Sequence, residues 1–175
     1  MALLLAGCGE SRTPVPNVNV PAAPRSYIRL SFPRIGVSFY APKNWTRVNG
    51  RGFAVIASAS AVISLRAYSS NGSTPATAAA LAAARGRLIA AAHNQDRTLQ
   101  LIRTKLTRVD GVDAIVLDAM ETIAGARRRV RSLHLFPAGG EIVIEESAPL
   151  ALFHIADHYV FSPLNHSLRL LAPRA

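Results

Sequence analysis

Residues 98–146 decide the fold and read TLQLIRTKLTRVDGVDAIVLDAMETIAGARRRVRSLHLFPAGGEIVIEE. Three glycine-containing breakers divide this stretch, at Asp110-Gly111, Gly125 and Gly139-Gly140. Each can supply the positive φ that a tight hairpin turn requires. The divisions therefore predict four sequential antiparallel strands, which are Thr98–Val109, Ala114–Ile123, Arg127–Phe136 and Ile142–Glu146.

The chain before this stretch has the same period-two pattern. Ile35–Ala41 and Trp45–Val48 are separated by Pro42-Lys43-Asn44, which predicts a hairpin or a pair of strands. Two further strands are predicted at Phe53–Ala59 and Ala61–Tyr68. Alternation of apolar and polar residues along these segments predicts an antiparallel sheet with one buried face.

Two helices interrupt and close the series of strands. Thr74 as N-cap and Pro75 in the first turn predict the start of an alanine-rich helix that extends to Ala92. A second helix is predicted from Pro149 to Phe161 or beyond. Its buried stripe is formed by Phe153, Ala156, Val160 and Leu164. This order lacks alternating strand–helix units, so it predicts an α+β fold, with an antiparallel sheet of about six to eight strands flanked by two main helices.

Three stretches resemble the Mog1/PsbP-like fold and the bacterial lipoproteins that carry it. They are IGVSFYAPKNWTRV (Ile35–Val48), VRSLHLFPAGGEIVIEESAP (Val130–Pro149) and FHIADHYVFSPLNHSLRL (Phe153–Leu170). With the order of elements between them, the resemblance spans about Ile35–Leu171. It implies an α/β/α sandwich that acts as a noncatalytic accessory or binding module, and it carries no catalytic motif over to this chain.

The single cysteine lies at residue 8. Leu5-Ala6-Gly7-Cys8 resembles the lipobox of bacterial lipoproteins, in which the cysteine carries a diacylglyceryl group and the signal peptide is cut just before it. The resemblance implies attachment to the membrane through a lipid on Cys8. A signal core usually has about 7–15 apolar residues behind a positive charge, so this short start favours initiation upstream of Met1. The alternative is a chance match with an idle thiol.

The chain is predicted to have three parts. Residues 1–8 are a truncated signal peptide and lipobox, residues 9–33 a proline-rich tether, and residues 34–175 the folded domain. The tether is predicted because proline fixes φ and removes a backbone donor. A length of 175 residues fits one domain.

The densest charge lies in the third predicted strand, Arg127–Phe136, where alternate arginines share one face. With a neighbouring strand they give a candidate basic face for an anionic ligand, formed by Arg103, Lys105, Arg127, Arg129 and Arg131. The alternative is a solvated face whose charge is partly neutralised by Glu121, Glu141 and Glu145.

The net charge of +10 also raises nucleic-acid binding as a function. Aromatic residues do not alternate with the arginines as they do in a stacking platform for bases. An anionic envelope fits the charge better, because each nearby arginine contributes about 1 kcal/mol to attraction towards an anionic surface. We therefore expect no nucleic-acid partner.

Catalytic motifs are scarce. The sequence has no Gly-x-Ser-x-Gly, no Gly-x-x-x-x-Gly-Lys, no His-Glu-x-x-His and no dinucleotide fingerprint. The nearest approach to a site is His154, Asp157 and His158, whose spacing places them on neighbouring helix positions that could bind zinc. The alternative is that they lie on the solvent-facing side of the helix.

The sequence thus predicts a noncatalytic protein without a cofactor, anchored by lipid to the outer face of the bacterial cell membrane or within the envelope. Its domain is expected to bind an envelope protein or a small ligand. Two alternatives stay open. The first is a metal-dependent or hydrolytic envelope enzyme that uses the helix histidines, and the second is a basic nucleic-acid-binding protein.

Overall fold

The computed structural model describes residues 20–69 and 74–171. These residues form ten strands, which are β1 (Tyr27–Phe32), β2 (Val37–Pro42), β3 (Thr46–Asn49), β4 (Phe53–Ser58), β5 (Ala61–Ser69), β6 (Gln100–Val109), β7 (Val112–Ile123), β8 (Ala126–Leu135), β9 (Gly140–Pro149) and β10 (Arg169–Leu170). Helix α1 is Ala78–Gln95. A continuous C-terminal helical segment consists of α2 (Leu150–Ala156), a π-helical stretch (Asp157–Phe161) and α3 (Ser162–Ser167).

The strands form two antiparallel sheets. The larger sheet has seven strands in the order β3-β4-β5-β9-β8-β7-β6, and the smaller has three in the order β1-β2-β10. The four sequential strands predicted from residues 98–146 are confirmed as β6 to β9. Positive φ angles at Asp110 and Gly111, 52° and 82°, close the two-residue turn between β6 and β7. Positive φ at both positions is the type I′ geometry that matches the twist of the flanking strands.

The hairpin predicted between Ile35–Ala41 and Trp45–Val48 is wrong. Strand β2 pairs with β1 and β10 in the smaller sheet, whereas β3 pairs with β4 in the larger one. Trp45, only 3% exposed, joins the main core cluster just before β3 begins. The chain therefore crosses from one sheet to the other here, with the buried indole at the crossing.

The predicted tether also ends too late in the sequence. Its last residues form β1, which pairs along its whole length with β2 and buries Leu30 and Phe32. Further upstream, the Trp45 indole N–H donates to the Ala22 carbonyl at 3.0 Å. Pro21 and Pro24 precede the strand without interrupting it, so the folded domain begins before residue 34.

The two faces of the larger sheet have different covers. The C-terminal helical segment and the smaller sheet cover one side, which we call the core face. Its largest fully buried side chains include Phe39, Ile63, Leu65, Leu135, Ile144, Phe153, Phe161 and Leu164. Helix α1 covers the other side, the α1 face, with a small cluster of buried residues formed by Leu81, Ala84, Ile115 and Leu117. Most of the apolar core thus lies on the core face.

The predicted helices are confirmed with shifted ends. Thr77, rather than Thr74, is the N-cap of α1, because its hydroxyl accepts the Ala80 N–H at 3.1 Å. The second helix continues to Ser167, and all four residues of its predicted stripe are buried. The fold is α+β, as predicted. None of the helices in the described residues is long and apolar enough to cross a membrane.

Candidate binding cleft and a buried ion network

The predicted basic face lies on the core face of the larger sheet. Arg129 and Arg131 belong to β8, and Arg103 and Lys105 belong to β6. The two strands are not neighbours, because β7 lies between them. In the strand register Asp118 of β7 stands opposite both Arg103 and Arg131. A carboxylate thus occupies the centre of the predicted basic cluster.

Asp118 is fully buried and holds two of the arginines. Arg129 donates through Nε to Oδ1 at 2.8 Å and through a terminal nitrogen to Oδ2 at 2.7 Å. Arg103 donates through Nε to Oδ2 at 3.2 Å. Charge-assisted, two-pronged pairing of this kind is strong and geometrically specific. Asp118 therefore neutralises part of the basic face from within.

Arg131 connects the sheet to the C-terminal helical segment. Its NH1 group lies 2.7 Å from Asp157 Oδ1 and 3.3 Å from Glu146 Oε2. Asn165 donates to the other oxygen of Glu146 at 2.8 Å, and Ser162 donates to Asp157 at 3.2 Å. These bonds join β8 and β9 to the π-helical stretch and α3. We call the set formed by Arg103, Asp118, Arg129, Arg131, Glu146 and Asp157 the buried ion network.

An aromatic ring lies beside the same arginines. The guanidinium carbons of Arg129 and Arg131 lie 4.7 and 5.3 Å from the centroid of the Phe153 ring. Phe153 is 1% exposed, so its π face attracts the cations in a largely dry environment. The two arginines are therefore held by carboxylates and by an aromatic face together.

The two carboxyl groups around Arg131 have opposite pKa shifts. Burial raises the pKa of Glu146 to about 8, because it outweighs the favourable contacts with Arg131 and Asn165. Burial also acts to raise the pKa of Asp157, but the hydrogen bond and charge of Arg131 outweigh it and lower that pKa. Asp157 is therefore the ionised partner of Arg131 at neutral pH.

These contacts correct the expected neutralisation of the basic face. Glu121, Glu141 and Glu145 were expected to supply the compensating charge, but in the strand register they lie on the α1 face. The carboxylates that do so are Asp118 and Asp157, because burial keeps Glu146 protonated at neutral pH. Asp118 could have been found from sequence, because it is a charged residue at an inward position of an otherwise apolar strand.

The other two predicted basic residues are exposed. Arg127 donates to Gln100 Oε1 at 3.0 Å and lies against the Met120 sulfur. Lys105 makes no ion pair within residues 20–69 and 74–171. Of the five predicted residues, Arg129 and Arg131 are thus half-buried and compensated, Arg103 is exposed but bonded to Asp118, and Lys105 and Arg127 are exposed without an ion pair among the described residues.

The helix histidines do not form a metal site in the described part of the chain. His154 and His158 are exposed, whereas Asp157 is bonded to Arg131 and Ser162. The spacing correctly placed the three residues on neighbouring helix positions. It could not show that a sheet arginine takes the carboxylate.

A hydrogen-bonded Ser–His–Glu arrangement lies on the α1 face, and no sequence motif indicated it. Ser132 Oγ lies 3.1 Å from His134 Nε2, and Glu141 Oε1 lies 2.6 Å from His134 Nδ1. A hydrolase also needs donors for the developing oxyanion. Strand β8 pairs with β7 on one side and with β9 on the other, so the backbone donors beside Ser132 belong to the sheet ladders. Among residues 20–69 and 74–171, the backbone donors next to Ser132 are thus not available as an oxyanion hole.

An open cleft of about 980 Å³ lies where the two sheets meet at one end of the domain. Six chain segments line it, which are residues 33–36, 51–52, 67–69, 110–112, 137–142 and 170–171. Its apolar lining includes Ile35 and Ile142, both buried at the junction of the sheets. Two bonds fix this junction, from Leu171 N to the Gly36 carbonyl at 2.8 Å and from Leu170 N to Asp110 Oδ2 at 2.9 Å.

The charges around the cleft differ in whether they have partners. The carboxylate of Asp110 accepts the Leu170 N–H, and that of Glu141 is paired with His134. Arg34 and Arg51 are exposed and have no hydrogen bond or ion pair with any residue in 20–69 or 74–171. The cleft therefore combines an apolar lining with two cations that are available to a ligand. Sequence reasoning missed it, because its residues come from six distant turns and strand ends.

Comparison with solved structures identifies the fold. The protein is similar to cyanobacterial PsbP (CyanoP) from Synechocystis sp. PCC 6803, with a TM-score of 0.64 at 16% identity over 95% of this chain and 98% of that one. It is similar to LpqN of Mycobacterium tuberculosis, a protein involved in cell envelope biogenesis, with a TM-score of 0.52 at 13% identity over 83% and 91%. A scan of protein-family models and a search of curated proteins gave no match.

A third similar structure is PA94 of Pseudomonas aeruginosa, described as a putative regulator of unknown function, with a TM-score of 0.54 at 13% identity over 75% of this chain and 89% of that one. At these identities the likeness concerns the fold. The predicted Mog1/PsbP-like α+β fold is confirmed.

Proposed function

We propose that this protein is a noncatalytic, lipid-anchored component of the bacterial cell envelope that holds a small ligand or a segment of a partner in the cleft between its two sheets. The cleft carries this proposal. Its volume of about 980 Å³ lies at the upper end of the roughly 300–1,000 Å³ typical of ligand sites. An apolar lining with a few available polar groups is the usual composition of such sites.

The basic face is a weaker candidate for the binding site. Arg129 donates to the buried Asp118 and Arg131 to the partly exposed Asp157, so an anion would have to displace carboxylates that already hold these arginines. Breaking a buried ion pair leaves an uncompensated charge and costs about 3–5 kcal/mol. Binding an anion at Arg34 and Arg51 in the cleft breaks no ion pair among the described residues, so it does not have this cost.

The envelope location rests on the amino terminus. Cys8 and the lipobox lie outside the described residues, so the support comes from the sequence Leu5-Ala6-Gly7-Cys8. The fold shared with LpqN, a protein of envelope biogenesis, and the net charge of +10 agree with residence beside an anionic surface.

Native mass spectrometry tests the cleft. Protein purified from membranes under mild conditions is expected to retain a bound small molecule or peptide. Ala138→Trp, at an exposed residue of the cleft, should fill the space and remove the adduct. Ala79→Trp, at an exposed position of α1, is the matched control and should keep it. Equal adducts in both variants would place the ligand elsewhere, and no adduct in the wild type would count against ligand binding.

The anchor is tested by the mass of the amino-terminal peptide from the membrane fraction. A diacylglyceryl group on Cys8 is expected, and Cys8→Ser should move the protein to the soluble fraction. An unmodified thiol in a protein that still fractionates with membranes would refute lipid attachment.

The noncatalytic role is tested at Ser132. A fluorophosphonate probe labels serine hydrolases through an activated serine, and we expect no labelling above that of Ser132→Ala. Labelling that disappears in Ser132→Ala and in His134→Ala would instead establish a working Ser–His–Glu site.

A further inference from the structure

Strand β6 is the last strand of the larger sheet and leaves a long edge unpaired. It has ten residues and pairs with β7, whereas β3 at the opposite edge has four residues. A register shift lies between Leu101 and Arg103, and the ladder is regular from Arg103 to Val109. Within the described residues, this regular stretch is long enough to accept a further strand.

The two-residue turn after β6 determines which backbone groups point outward. Residues that flank such a turn, here Val109 and Val112, exchange both of their hydrogen bonds, and bonded pairs then alternate along the ladder. Thr104, Leu106 and Arg108 therefore direct their N–H and C=O groups away from β7. The Asp113 carbonyl accepts Phe136 N on the β8 side at 3.2 Å, as this alternation requires.

The side chains of β6 differ between the two faces. On the core face Lys105 is exposed and unpaired among the described residues, and Arg103 is 64% exposed although it bonds Asp118. On the α1 face Leu106 is 39% exposed, and Ile102, 45% exposed, lies at the register shift. An added strand would therefore be stabilised by acidic side chains on the core face and by apolar side chains on the α1 face.

A second copy of this chain is a poor occupant of the edge. Two β6 strands side by side would bring two sets of Arg103, Lys105 and Arg108 into one seam, and each molecule carries a net charge of +10. Like charges across a strand pair are destabilising, and lysine on an edge is a common defence against self-association. The same cations attract an acidic strand.

We propose that β6 is a strand-addition site for an extended acidic segment of a partner protein in which acidic and apolar side chains alternate. Main-chain hydrogen bonds to Thr104, Leu106 and Arg108 would supply affinity, and the two faces would supply selectivity. Acidic side chains would lie beside Arg103 and Lys105, and an apolar one beside Leu106. The site is independent of the cleft.

A fluorescent peptide of sequence Glu-Val-Glu-Val-Glu-Val-Glu tests the site by anisotropy with the full-length protein. A peptide of the same composition in blocks, Glu-Glu-Glu-Glu-Val-Val-Val, is expected to bind about tenfold more weakly, because it cannot match both faces. A lysine-for-glutamate version is expected not to bind. Equal binding of the alternating and block peptides would overturn the proposal in favour of plain charge attraction.

Substitutions at Leu106 separate main-chain pairing from side-chain contact. Leu106→Pro removes the outward N–H at an edge position, where proline is tolerated, and should weaken binding about tenfold. Leu106→Ala keeps the N–H and should weaken it about threefold or less. Equal affinities of the two folded variants would contradict strand addition.

If Leu106→Pro does not fold, modified peptides test main-chain pairing with the wild-type protein instead. N-methylation of its backbone on the edge that faces β6 should abolish binding to the wild type, and methylation on the opposite edge should not. Sedimentation showing a dimer that Thr104→Pro disrupts would identify a second copy as the occupant and overturn the acidic partner.

Discussion

The buried ion network and the cleft both contain arginines, but the two sites use them in opposite ways. Arg131 is 14% exposed and is shared between Asp157 and Glu146, whereas Arg34 and Arg51 are exposed and have no partner among the described residues. The network fixes the C-terminal helical segment on the sheet. The cleft has two cations without partners among the described residues at the junction of the two sheets. We therefore propose that a ligand binds where charge is uncompensated and not where charge is densest.

The largest expected effect is the loss of stability when the network is broken. Arg131→Ala leaves the ionised Asp157 without its cation and the buried Glu146 without a hydrogen-bond donor, and we expect the free energy of unfolding to fall by about 3 kcal/mol. Lys105→Ala, an exposed residue on the same face of the sheet, is the control and should change it by less than about 0.5 kcal/mol. Urea unfolding measures both. Equal losses of unfolding free energy in the two variants would show that the buried ion network stabilises the fold no more than an exposed residue does.

A smaller effect is expected from the titration of Glu146. Its pKa in the folded protein is about 8, above the ordinary value of about 4.3 for the unfolded chain. Between these values the folded state holds a proton that the unfolded state has released, so stability should fall as the pH rises from about 5 to 8. The loss expected is on the order of 2–4 kcal/mol.

Glu146→Gln should reduce this slope, because the side chain no longer titrates. Asp157 does not contribute to this slope. Its pKa is lowered, so its titration changes the stability only below the ordinary value near 3.9, outside this pH range. Thr107→Val, at a half-buried residue that does not titrate, is the control and should leave the slope unchanged. A slope that Glu146→Gln leaves intact would show that another group holds the proton.

The smallest effect on stability is expected in the cleft. The double variant Arg34→Ala/Arg51→Ala removes two exposed, unpaired cations and should change the free energy of unfolding by less than about 0.5 kcal/mol. It should nevertheless reduce the adduct seen by native mass spectrometry. A large loss of stability would mean that these arginines have a structural role, as Arg131 does.

The sequence predicted the local elements well where turn chemistry and periodicity agree. Strands β6 to β9 follow the glycine-containing turns, and the buried stripe of the second helix follows the 3.6-residue repeat. The sequence-based predictions were wrong where contacts between residues distant in the sequence determine the structure. Trp45 separates two segments that look like a hairpin, and β1 exists because β2 pairs with it.

The candidate site was predictable only in part. Alternation correctly placed Arg129 and Arg131 on one face of a strand, but the acidic partners come from β7, β9 and the π-helical stretch, which no local pattern connects. The cleft gave no signal, because a concave surface formed from six separate segments depends on how the two sheets pack.

Hydrogen exchange on the protein isolated from membranes, compared with the same protein stripped of bound molecules, tests most directly whether the cleft or the charged face binds. We predict that the isolated form is more protected at residues 33–36, 51–52 and 137–142, and unchanged at Arg129 to Arg131. Protection centred on Arg103, Arg129 and Arg131, or no difference anywhere, would contradict the account.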